Sequence, residues 1–219
     1  MNQVLLAISI MAVPCAQAAE WSLTGKLNPS IEHDDNVYMS ENNKESGTRY
    51  AMTPTATVSR ADENSNVNLS VGYRLERWSS VDIDDREDPF AKLTSAFSTE
   101  RSQYGLDLGY AEDATRNTAA EDSGNFRSTS TQTTKTIAPW YSYQLTEVDT
   151  VSIRGSYTDN DYDSGFGGND NEFKSLTTDW MHQYTERFSA GVSVGAYNYK
   201  ADSTLTSFSV EHDNYNVLA

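Results

Sequence analysis

The chain has 219 residues, 37% of them hydrophobic, a formal net charge of −16 and a mean hydropathy of −0.64. That charge disfavours a nucleic-acid partner, because a phosphate backbone repels it. The single cysteine, Cys15, excludes a disulfide framework and a cysteine zinc site.

Low hydropathy with high charge also describes disordered chains. Here, however, 13 Tyr, 4 Trp and 7 Phe are present, and the apolar residues recur with the period of two that a strand imposes. A strand with water on one side and lipid on the other is hydrophilic on average.

Residues 4–13 form an apolar core too short to cross a bilayer as a helix, and Ala16-Gln17-Ala18 places small residues at −3 and −1 of a cleavage site. A signal peptide over 1–18 follows, with a cysteine-free mature domain over 19–219. The first mature segment alternates strictly. Trp21, Leu23, Gly25, Leu27, Pro29 and Ile31 share one face, and Ser22, Thr24, Lys26, Asn28 and Ser30 share the other. It ends in the acidic run Glu32-His33-Asp34-Asp35-Asn36-Val37-Tyr38, and residues 32–47 are expected as loop.

Alternation returns over 48–59, with Tyr50, Met52, Pro54, Ala56 and Val58 apolar, and over 67–75 after a short turn at 61–66. A loop is expected at 76–88. A strand with Ala91, Leu93, Ser95 and Phe97 outward comes next, then a turn at 99–102 and a strand with Tyr104, Leu106, Leu108 and Tyr110. The second half repeats the scheme. A loop at 111–127 leads to a strand ending Ile137, Pro139, Tyr141, Tyr143, Leu145. A turn at 146–149 leads to Val151, Ile153, Gly155, Tyr157, and 159–172 is expected as loop. Then come Leu176, Thr178, Trp180, His182, Tyr184, a turn at 185–187, a strand with Phe188 to Ala196, and a last segment around 204–210.

Short and long connections alternate, as short periplasmic turns and long external loops do in outer-membrane barrels. The expected fold is all-β: an antiparallel up-and-down transmembrane β-barrel with nine or ten strands present. A soluble barrel or sandwich is the alternative, because its interior would take the same stripes.

The opening strand running into Asp34-Asp35-Asn36-Val37-Tyr38 resembles the start of the beta-barrel porin 2-like proteins of Gram-negative outer membranes, many encoded near exopolysaccharide or exosortase systems. The resemblance implies an outer-membrane porin or saccharide-export pore, with no catalytic residue to carry over and no cofactor. Members of that group are longer and outer-membrane barrels generally end on an aromatic residue, so closing strands beyond Ala219 are expected. The expected partners are outer-membrane lipid or lipopolysaccharide and, from the basic residues on the polar sides of the strands, an anionic saccharide, and the oligomeric state is open.

The polar sides of the strands nominate Lys26, Arg49, Arg74, Lys92 and Arg154 as lumen residues, with Asp107 and Asp179 as acids. Such bases either attract anions through the field they create or brace the barrel by pairing. Asp159, Asp161, Asp163 and Asp170 are calcium candidates, since carboxylates alternate in 159–163 as in oxygen-ligand loops; solvated acidic loops are the plainer account. A barrel hydrolase would draw on His33, His182 or His212, but no Gly-x-Ser-x-Gly run is present. A non-conducting structural or adhesive barrel is the remaining alternative.

Overall fold

The computed structural model describes residues 19–38, 41–115, 130–163, 169–203 and 209–218. The expected signal peptide, with Cys15, lies outside them. Ten strands follow one another: β1 (Glu20–Asp34), β2 (Gly47–Asp62), β3 (Ser65–Ser79), β4 (Arg86–Ser98), β5 (Ser102–Ala114), β6 (Thr131–Gln144), β7 (Asp149–Tyr162), β8 (Asn169–Thr185), β9 (Phe188–Ser203) and β10 (Ser209–Leu218). They form one antiparallel up-and-down sheet in the order β1 to β10, with β1 and β10 at its edges.

Paired residues in a ladder share a face, so the register carries each stripe from strand to strand. Leu23 lies opposite Val58, Val58 opposite Leu69, Leu69 opposite Leu93 and Leu93 opposite Leu108. Leu108 then meets Ile137, and Ile137 meets Tyr157. Along this row one face is apolar, and the other carries mainly Ser, Thr, Asn and charge. The ladder between β2 and β3 passes over Pro54, and that between β6 and β7 passes over Pro139; proline has no N–H to give a ladder.

Among the described residues the only buried apolar side chains are Val37 and Ala114. The apolar face instead points outward: Trp21 is 65% exposed, Leu27 59% and Ile31 71%. This sheet has no core in the sense of a soluble domain.

The short turns are held by the side chains that nucleate them. Asp62 accepts from the Asn64 N–H at 3.0 Å and the Ser65 hydroxyl at 2.8 Å. The Thr146 hydroxyl donates to Asp149 at 2.6 Å and accepts from the Asp149 N–H at 3.0 Å.

Several expected loops shrink, because strands outrun their apolar stripes. β1 continues to Asp34, β3 to Ser79 and β7 to Tyr162, while β8 begins at Asn169. The hydrogen-bond ladder continues where the outward residues have become charged. The last expected strand also moves: β9 runs on to Ser203 and β10 spans Ser209–Leu218, whereas residues 204–208 lie outside the described set.

Candidate functional site: the two faces of the sheet

The outward face is banded. At the turn rim, aromatic rings touch in sequence: Phe97 stacks on Tyr104 at 5.4 Å between centroids, Tyr104 meets Tyr141 at 6.5 Å, and Tyr141 meets Tyr143 at 6.5 Å. Farther along the rim His182 meets Tyr184 edge-on at 4.4 Å, and Tyr184 meets Phe188 at 5.6 Å. Toward the loops, Tyr50, Tyr73, Tyr110 and Tyr157 occupy the same outward face by register. On β2, the eleven residues from Tyr50 to Arg60 cover about 33 Å along the strand and about 25 Å across a layer at a tilt near 40°.

Beyond that band the outward face becomes charged in one step. Lys135, Asp159, Glu172, Lys200 and Glu211 are consecutive partners across β6 to β10. Lys135 pairs with Asp161 at 2.6 Å and Asp159 at 3.3 Å, Lys174 with Glu172 at 2.6 Å, and Lys200 with Asp202 at 2.6 Å. The calcium candidates fall here. Asp159 and Asp161 stand on β7 rather than in a loop and address Lys135, Asp170 accepts from the Tyr162 N–H at 2.7 Å, and Asp163 follows the end of β7. No group of three or more His, Cys, Asp or Glu among the described residues is arranged to hold a metal ion.

All five lumen candidates stand on the polar face, and the structure divides them. Arg49 bridges Glu32 of β1 at 2.5 Å and Glu76 of β3 at 3.2 Å. Glu76, only 9% exposed, also accepts from the Trp78 indole at 2.5 Å. Arg74 reaches across β4 to Asp113 of β5. Arg86, placed by sequence in a loop, is on β4, binds Asp88 at 2.7 Å and donates to Thr131 of β6 at 3.1 Å. These pairs form a charge ladder below the loop rim. Lys26, Lys92 and Arg154 have no carboxylate within ion-pair distance among the described residues.

Small residues keep the middle of the polar face low. Gly105 lets the Trp140 ring lie against the wall, and an added Cβ there would stand 2.7 Å from it; at Gly72 a Cβ would stand 2.6 Å from Phe90. Of the expected acids, Asp179 accepts from Ser152 at 3.2 Å.

The Asp34–Tyr38 run makes a turn and a clasp. Asp34 accepts from the Asn36 N–H at 2.8 Å, and Val37, 2% exposed, donates its N–H to the Glu45 carbonyl at 2.9 Å. A Cβ on Gly47 would stand 3.0 Å from both Val37 and Val81, which places the first loop on the second; the Tyr38 hydroxyl donates to the Asp82 carbonyl at 3.4 Å.

The three histidines are not brought together. His33 contacts Thr48 at 3.0 Å near the loops, His182 contacts Asp149 at 2.7 Å at the turn rim, and the His212 ring of β10 lies 6.4 Å from that of Tyr197. At the rim, the Asp149 carboxyl is held below the usual carboxylate range by the Thr146 hydroxyl and then by His182, and Asp62 likewise by Ser65 and the Asn64 N–H.

Neither a protein-family model nor a curated protein sequence matches this chain. Among solved structures, it is similar to in-vitro folded OmpT, an outer membrane protein of Vibrio cholerae, at 10% identity over 88% of this chain and 74% of that one, with a TM-score of 0.44. A loop L8 deletion mutant of the same protein matches at 11% identity over 87% and 76%, with a TM-score of 0.42.

Proposed function

We propose that this chain is a bacterial outer-membrane β-barrel whose polar face lines a passive, water-filled passage for polar solutes, in the manner of a saccharide-export porin. One observation carries the reading: among the described residues thirty large apolar side chains are exposed, most of them on the outward face, while two apolar residues are buried. A soluble monomer rarely exposes a contiguous apolar patch of more than about 300–600 Å². In lipid the same face needs no cover. Lipid cannot satisfy a bare N–H or C=O, so a strand crosses only as part of a continuous ladder. The aromatic rim and the charged rows beyond the belt match the two interfaces of such a layer. On this reading the outward charged rows meet the lipopolysaccharide headgroups, and residues 1–18 direct export.

Refolding into phospholipid vesicles tests it. A heat-modifiable folded band on a gel and swelling of vesicles in small neutral sugars are expected. A chain that stays monomeric in water without lipid or detergent would contradict the membrane reading. A chain that inserts but passes neither sugar nor current would leave a non-conducting structural barrel.

A further inference from the structure

Aromatic rings gather at one place on the polar face. Thr158, Phe173, Tyr199 and His212 are consecutive partners across β7 to β10, one residue nearer the turns than the outward charged row of Asp159, Glu172, Lys200 and Glu211. Tyr197, two residues farther in on β9, touches a ring on each side: its centroid lies 5.8 Å from that of Phe173 and 6.4 Å from that of His212. Phe173 is 36% exposed, Tyr199 37%, and His212 is exposed as well. Other rings on this face are engaged. Arg74 stands 5.2 Å over Phe90, Trp140 lies against Gly105, and the Trp78 indole donates to Glu76.

We infer that Phe173, Tyr197, Tyr199 and His212 form a stacking surface for an extended, uncharged saccharide, just inside the loop-side mouth. The inference rests on the proposed passage, in which this face meets water. Its contacts lie within three hydrogen-bonded neighbours, β8, β9 and β10, so they do not depend on how many strands close the wall.

The chemistry of the neighbours selects the ligand. The row from Ser156 to Asn214, the row of rings and the row from Asn160 to Val210 hold no Lys, Arg, Asp or Glu. On β2 to β5 the loop-side stretch of the same face carries the Arg49, Arg74 and Arg86 ion pairs instead. An anion or cation would therefore settle on the other half of the sheet. The rings are bordered by amides and hydroxyls. Asn160 donates to Asn171 at 2.9 Å, the Ser156 and Ser175 hydroxyls meet at 2.7 Å, and Asn214 is the ladder partner of Tyr197. Below Tyr197 the wall is low: an added Cβ on Gly195 would overlap the Asn216 amide, which lies across that glycine. A sugar ring has C–H groups on its faces and hydroxyls at its rim. The C–H groups suit the electron-rich face of an aromatic ring, and the hydroxyls suit the amides beside it. A purely apolar ligand would leave those amides without partners.

The test is calorimetry of the folded protein in a detergent without sugar headgroups, titrated with cellohexaose and with maltohexaose. Wild type should give binding heat with at least one of them. Phe173→Leu, Tyr197→Leu and Tyr199→Leu keep apolar bulk but remove the ring face, and each should bind about two- to tenfold more weakly. The triple variant should lose at least about tenfold, and the single variants decide the matter if it does not refold. Tyr197→Phe, which keeps the ring, should stay near wild type, as should Tyr157→Leu at the same depth on the outward face. No heat from wild type with either sugar at about 10 mM overturns the stacking surface, and so do equal affinities in wild type and the leucine variants. Tighter binding of hexagalacturonate than of both neutral sugars overturns the uncharged class. In planar bilayers, conductance without sugar heat leaves the passage standing and the surface refuted. Sugar heat lost in the leucine variants, with no conductance, supports the surface and refutes the passage.

Discussion

Replacing Leu69 with arginine distinguishes a lipid-facing sheet from a water-facing one. Leu69 is 42% exposed on β3, between Val67 and Val71 along the strand, and opposite Val58 and Leu93 across it. If that face meets lipid, the guanidinium must enter hydrocarbon or bend toward an interface. Arginine at the midplane of such a barrel costs about 2–4 kcal/mol, and Leu69, four residues from the turn rim, should lose about 2–3 kcal/mol. If the face meets water, replacing an exposed leucine changes stability by no more than about 0.5 kcal/mol. The neighbouring Asn68 points to the other face, opposite Ser59 and Thr94, and Asn68→Arg should remain within about 0.5–1 kcal/mol of wild type. Urea titration in vesicles, followed by tryptophan fluorescence, measures both. Equal small effects for the two variants, or a larger loss for Asn68→Arg, would refute the assignment of faces.

Three further outcomes follow from the contacts. Gly105→Val should cost about 1–3 kcal/mol and shift tryptophan emission, since its Cβ would displace the Trp140 ring; unchanged emission would contradict the ring's seat on the wall. Arg49→Leu leaves the nearly buried Glu76 without its cation and should cost about 1–3 kcal/mol, part of which Arg49→Leu/Glu76→Leu should recover in a double-mutant cycle. The Asp149 carboxyl lies below its ordinary value in the folded chain, so its stabilisation is complete above the unfolded pKa and disappears as pH falls through the folded one. Asp149→Asn should therefore lower the urea midpoint at pH 7, and the gap should close in acid; a gap that persists there would be evidence against the Thr146–Asp149–His182 contact as its source.

The phase of β1 to β9 is readable from the sequence because a period of two leaves no ambiguity where one face carries an apolar stripe. Leu23, Val58, Leu69, Leu93, Leu108 and Ile137 are each outward by alternation and outward by register. Strand ends are less legible. Alternation reports where the apolar layer stops, whereas the ladder stops where backbone pairing does, so Asp159, Asp161, Glu172 and Arg86 read as loop but are strand. The same limit hid the division among the lumen candidates. Arg49 and Lys26 occupy equivalent places in the pattern, and only the pairing of Arg49 with Glu32 and Glu76 separates a bracing cation from an open one. The Asp34–Tyr38 run is legible as a turn, but the burial of Val37 beside Gly47, which Val81 also approaches, needs two loops distant in sequence.

A nitroxide scan along β5 in a Cys15→Ser background, one cysteine at a time from Gln103 to Tyr110 in lipid vesicles, tests the account most directly. Tyr104, Leu106, Leu108 and Tyr110 should be accessible to oxygen dissolved in the bilayer, and Gln103, Gly105, Asp107 and Gly109 to a water-soluble nickel chelate, with the two profiles alternating out of phase. Profiles that rise and fall together, or a nickel maximum at Leu106 and Leu108, would contradict it.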